Sequence, residues 1–111
     1  MSPGDTLTFW LNDVGENGWY EVNDNLDKTI RDRFFATWIE LCAGSFGLWL
    51  TYPSGALAYI LLADQFSRNM FRGHENAFTS DRMGVAAIKS SRRRGWDLRI
   101  DEQALQFLIF P

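Results

Sequence analysis

Apolar residues along this chain recur every three to four positions, the spacing of one helical face, and no run of alternating β-branched residues marks a strand. The first helix is expected to start at Ser2, a hydroxyl N-cap followed by Pro3 at the first helical position and by Asp5 near the positive helix end. Leu7, Trp10, Leu11 and Val14 lie on its inner face. Gly15 to Gly18 reads as a loop, with Trp19 and Tyr20 beyond it closing over the core. A second helix spans about Leu26 to Ala43, entered through Asn23-Asp24-Asn25 and closed by Gly44 in a left-handed conformation. Leu26, Ile30, Phe34, Trp38 and Leu41 form its buried stripe. Asp27 with Arg31 and Lys28 with Asp32 stand four residues apart and read as a solvated outer face, contributing about 0.2–0.5 kcal/mol per pair.

The third helix, from Pro53 to about Phe71 with Gly73 as its stop, changes character partway. Leu57 to Ala63 is almost wholly apolar. Asp64-Gln65-Phe66-Ser67-Arg68-Asn69-Met70-Phe71-Arg72 is densely polar. On a helical wheel Tyr59, Ala63, Phe66 and Met70 share one side, while Asp64, Gln65, Arg68, Asn69 and Arg72 occupy an arc of about 140° largely opposite. Leu61 and Leu62 cover that arc one turn earlier, so part of the cluster is expected to be buried and therefore paired. Asp64 precedes Arg68 by four residues, the favourable order for an ion pair, and Arg72 continues the row.

Two readings of this cluster stand side by side. In one, Asp64 and Arg68 lock the helix to its neighbours while Gln65 and Asn69 satisfy backbone groups. In the other, the planar forks of Arg68 and Arg72 hold a carboxylate or phosphate that Asn69 and Gln65 orient. His74, the sole histidine, lies just past the helix and is the natural general-base candidate, though no partner for it is evident.

A fourth helix is expected from Ser80 or Asp81 to Arg94, stopped by Gly95 and Trp96, with Arg92, Arg93 and Arg94 complementing the dipole of its last turn. A fifth starts at Asp101 and carries Ala104, Leu105, Phe107, Leu108, Ile109 and Phe110 before Pro111. No single neighbour can hide all those side chains, so an exposed apolar patch and homo-oligomer formation through the C-terminal segment are expected.

At 111 residues the chain is one domain's worth of sequence, and its 46% hydrophobic and 15% aromatic content excludes disorder. The net charge of −3 is unevenly placed, acidic toward the front and mildly basic toward the back. Such a split can steer a small anion, but it falls short of the basic excess of a nucleic-acid binder. The one cysteine, Cys42, rules out an internal disulfide or multi-cysteine metal site and is expected to be buried. With no signal segment and no apolar run of about 18 residues, a cytoplasmic protein without membrane contact is expected. No metal, cofactor or catalytic set is recognisable.

The run Leu57 to Gly73, followed by Ala77-Phe78-Thr79-Ser80-Asp81, resembles the signature of a bacterial family catalogued as domain of unknown function 924. Phe9-Trp10, Trp19-Tyr20, the Gly44, Trp49, Pro53 series, Gly95 and Phe107 to Pro111 agree with it, so the likeness covers nearly the whole chain. The resemblance implies an all-helical, tetratricopeptide-like fold in a small soluble protein, and no established reaction. Ser67 stands where that family commonly has proline. The family also usually continues beyond this chain's end, through a His-Ser-Glu motif and further helices, so residues 1–111 are read as one helical domain truncated at its C-terminus.

The expectation drawn from all this is an all-α array of about five helices in helical hairpins, serving as a binding module for a small anionic ligand or peptide. The alternative is an enzyme acting on a small anionic substrate, with Arg68 and Arg72 as clamp, Asp64 or His74 as acid or base, and Asn69 orienting.

Overall fold

The computed structural model describes residues 2–15, 18 and 22–96, and these hold four helices, with no strand among them. Helix α1 comprises Pro3–Thr8 and runs on through a looser, π-helical Phe9–Val14. Its start is a capping box: Ser2 Oγ accepts from the Asp5 N–H at 3.2 Å and the Asp5 carboxylate accepts from the Ser2 N–H at 3.1 Å. Helix α2, Asp24–Cys42, is capped by Asn23, whose side-chain oxygen accepts from the N–H groups of Asn25 and Leu26. Gly44 closes it at φ 84°, a conformation that favours glycine.

Helix α3 is built in three pieces, Pro53–Ile60, a π-helical Leu61–Phe66, and Ser67–Met70. It forms the centre of the fold. Its first part packs against α1 and against α4, Asp81–Arg93, while its last part packs against α2. Ala56 through Ala63 are buried on every side, as expected of a helix apolar all round. A 3-10 turn, Gly47–Thr51, lies so close over its start that a Cβ added to Gly55 would stand 2.3 Å from the Trp49 carbonyl oxygen.

The core centres on an aromatic cluster drawn from three helices. Phe34 packs on Phe66 and Phe9 at ring-centroid distances of 4.8 and 5.1 Å, and Trp10 on Phe66 at 5.4 Å. A buried polar tie joins α2, α3 and α4: the Trp38 Nε1–H donates to Ser80 Oγ at 3.0 Å, and the Ser80 hydroxyl donates to the carbonyl of Ala63. An ordinary α-helical turn would give that carbonyl to the N–H of Ser67, but the Ser67 N–H bonds to Asp64 O, three residues back. The Ser67 hydroxyl, fully buried, donates to Ala77 O at 2.9 Å.

The all-α expectation and the four described helices agree with the sequence pattern. The fifth helix, the C-terminal apolar patch, and Trp19 and Tyr20 lie outside the described residues. Cys42 departs from expectation: it is exposed on the last turn of α2, and partial covering of the thiol pushes it above its ordinary value, away from the reactive thiolate.

Candidate functional site

The polar arc that a uniform wheel places on one side of α3 is divided in two by the fold. On that wheel Asp64 and Arg68 stand about 40° apart at one end of the arc, and Arg72, Gln65 and Asn69 follow at about 80°, 100° and 140°, so two neighbouring helices can share it. Asp64 and Arg68 face α4. Gln65, Asn69 and Arg72 face α2.

On the α4 side, Arg68 Nη2 lies 2.9 Å from Asp64 Oδ1 in the expected four-residue pair. Gly84 of α4 packs there, and a Cβ on it would fit, meeting Ala63 and Asp64 at ordinary contact distances of 3.5 and 3.8 Å. Burial pushes the Asp64 carboxyl above the usual carboxylate range, Arg68 opposes that, and the like charge of Asp81 adds to it. Arg68 Nε and Asp81 Oδ1 are both buried with no hydrogen-bond partner.

On the α2 side the organising residue is Asp27. It sits at the entry to α2 and is buried, contrary to the solvated pairing with Arg31 that helical spacing suggested. Its carboxylate accepts from Asn69 Nδ2 at 2.8 Å and from Arg72 through a fork, Nε at 2.7 Å and Nη2 at 3.2 Å. Gln65 Nε2 donates to Asn69 Oδ1 at 2.8 Å, so Gln65, Asn69, Asp27 and Arg72 form one continuous hydrogen-bonded row. Buried Gln65 and Asn69 are thus satisfied side chain to side chain, and the expectation that part of the arc is buried and paired holds. By contrast, Lys28 and Asp32 do form the exposed pair expected, at 3.8 Å.

Arg68 and Arg72 therefore do not make one clamp. Each guanidinium is committed to a different carboxylate, Asp64 for the first and Asp27 for the second. His74 is exposed, and its Nδ1 accepts from the Asn76 N–H to cap the short turn Glu75–Phe78. Its hydrogen bond stays within its own loop, apart from either cluster.

Beside the Asp27 row opens a cleft of about 280 Å³ lined by Asp24, Asp27, Arg31, Asn69, Met70 and Arg72. Arg31, read from the sequence only as a solvated partner of Asp27, is held there by one bond from Nη1 to Met70 O at 3.3 Å. Among the described residues no carboxylate lies within ion-pair distance of it. Asp24 and Asp27 stand in the first turn of α2, near its positive end, with Arg31 one turn further on. Asp27 is thus answered by Arg72, while neither Asp24 nor Arg31 has an ion-pair partner among the described residues. Among the described residues no group of three His, Cys, Asp or Glu side chains could hold a metal ion. No described helix is long and apolar enough to cross a membrane.

The chain belongs to the family described as bacterial protein of unknown function (DUF924), whose model matches residues 6–111. It is similar in structure to a protein of unknown function, ATU0120, from Agrobacterium tumefaciens, with a TM-score of 0.86 and 27% sequence identity. That match covers 96% of this chain and 61% of the other, so the chain spans about three-fifths of its structural relative. No curated protein matches the chain.

Proposed function

We propose that this chain is a helical binding module whose ligand is a small carboxylate- or phosphate-bearing molecule held at the Arg31 end of the cleft between α2 and α3. The observation that carries this is the guanidinium of Arg31, which lines the cleft with no carboxylate within ion-pair distance, while Arg72 is committed to Asp27. A planar guanidinium with free N–H groups recognises such anions by paired hydrogen bonds. The saturated row of Gln65, Asn69, Asp27 and Arg72 is the scaffold that holds the cleft open, and the helix pairs are read as tetratricopeptide-like hairpins.

The second reading, an enzyme acting on a small anion, draws on Asp64. Burial raises the pKa of its carboxyl above the usual carboxylate range, and Arg68 Nε and Asp81 Oδ1 beside it lack partners. Chemistry there would place proton transfer at Asp64 and leave Arg31 uninvolved.

A thermal-shift series with inorganic phosphate, pyrophosphate and citrate at matched ionic strength separates the two. A ligand binding only the folded state at ten times its Kd adds about 1.4 kcal/mol, a shift of several degrees. Arg31→Gln is expected to abolish the shift and Arg68→Gln to leave it intact. The reverse dependence would move the site to Asp64 and Arg68, and no shift with any anion would reject the binding reading.

A further inference from the structure

The cationic end of the cleft does not stop at Arg31. On α2, Asp27, Arg31, Phe35 and Ile39 succeed one another at four-residue steps along one ridge, passing from acid to base to aromatic to aliphatic. Phe35 and Ile39 are 43% and 48% exposed, which for side chains of that size on consecutive turns is a continuous apolar surface. A second aromatic residue joins this surface from just past the end of α3. The Met70 carbonyl that fixes Arg31 is followed at once by Phe71, whose ring meets Phe35 edge-on at 6.1 Å and Trp38 at 4.8 Å. Phe35 also stacks on Trp38 at 6.2 Å and 23°. Two elements, joined by separate contacts, thus set an aromatic shelf one helical turn along α2 from Arg31, just outside the residues that line the cleft.

We infer that the ligand of this cleft is amphiphilic: an aryl or short acyl group bearing one carboxylate or phosphate, the anion on Arg31 and the apolar part on Phe35 and Phe71. This rests on the proposed anion site and adds the class of its ligand. One helical turn separates head from shelf, about 6 Å of rise, which suits a single ring or a short chain rather than a polyanion. Aromatic side chains fixed against one another present such a surface with little ordering of their own on binding, and an apolar group gains there what a bare anion cannot. Charge favours this occupant too, because a cationic ligand would meet Arg31 directly, and the acids of the cleft lie on the far side, at Asp24 and Asp27.

The test is calorimetric titration of the 111-residue chain with inorganic phosphate, phenyl phosphate, acetate and phenylacetate, on wild type, Arg31→Gln and Phe35→Ser. The aryl compounds are expected to bind about tenfold more tightly than phosphate or acetate. Phe35→Ser should erase that gain while leaving phosphate binding unchanged, and Arg31→Gln should remove binding of all four. Phosphate bound with no aryl gain would overturn the amphiphile and leave the anion site standing. No binding of any compound would remove both. Concentration-dependent self-association of wild type, lost in Phe35→Ser, would assign the shelf to a second copy of the chain and also overturn the inference.

Discussion

Replacing Asp27 by alanine is the most informative single perturbation of the scaffold, because Asp27 joins the entry of α2 to the end of α3. Its carboxylate accepts three hydrogen bonds, one from Asn69 and two from Arg72. Asn69 is only 3% exposed, so its amide N–H would be left unsatisfied at a cost of about 1–3 kcal/mol. The Arg72 side chain, 40% exposed, can recover water, and its loss is discounted to about 0.5–1 kcal/mol. Relief of the carboxylate's own burial offsets part of this, and loss of an acid from the first turn of α2 adds a few tenths, about 0.3 kcal/mol or more. The expected net loss is about 2–3 kcal/mol, or about 10 °C or more in Tm. Urea denaturation of Asp27→Ala, Asn69→Ala and the double variant should give a coupling of about 1 kcal/mol, since both single changes break the same bond and the cycle cancels the dipole contribution. Asp32→Ala, at the exposed Lys28–Asp32 pair, should cost less than about 0.5 kcal/mol. An equally small loss for Asp27→Ala, with no coupling to Asn69, would show that Asp27 is solvated after all.

Three further outcomes follow from the packing. Gly55→Ala should destabilise by about 2 kcal/mol or more, because its Cβ would overlap the Trp49 carbonyl, whereas Gly84→Ala, with ordinary contacts at Ala63 and Asp64, should gain about 0.5–1 kcal/mol from helix propensity; thermal denaturation of both checks this, and equal effects would contradict it. Ser80→Ala leaves the Trp38 indole N–H without its acceptor and Ala63 O without its donor, and should cost about 1–3 kcal/mol by urea titration. The raised pKa of Asp64 means the folded chain holds that proton more firmly than the unfolded one. Wild type should therefore lose stability relative to Asp64→Asn as pH rises from the ordinary carboxylate value of 3.8 through the raised one, and a gain over that window would show that the attraction of Arg68 outweighs burial.

Helix boundaries were legible because their determinants are local. Ser2 with Asp5, Asn23, Gly44 and Pro53 act within a few residues of themselves, and each does in the structure what its type and place predict. The order of residues on the wheel already separates Asp64 and Arg68 from Gln65, Asn69 and Arg72, but which helix meets each end of the arc was not legible, since that depends on the packing of distant segments. Nor was the role of Asp27, whose partners Asn69 and Arg72 lie 42 and 45 residues away while Arg31 stands at the favoured local spacing. One signal was nevertheless present. Asp27 lies on the same stripe as Ile30, Phe34 and Leu41, at steps of three, four and seven, and an acid on an apolar stripe needs a buried partner from elsewhere in the chain. Arg31, freed from Asp27 by that distant partner, becomes a candidate for ligand binding only once the fold is known.

The central claim, that Arg31 is the cation on which a ligand anion rests, is tested most directly by following the arginine Nε–H signals in nitrogen-edited NMR while inorganic phosphate is added at constant ionic strength. The Arg31 resonance is expected to shift in a saturable way, with Arg72 responding weakly through its place on the cleft wall and Arg68 unmoved. Saturable movement of Arg68 with Arg31 unchanged, or no saturable movement of either, would contradict the account.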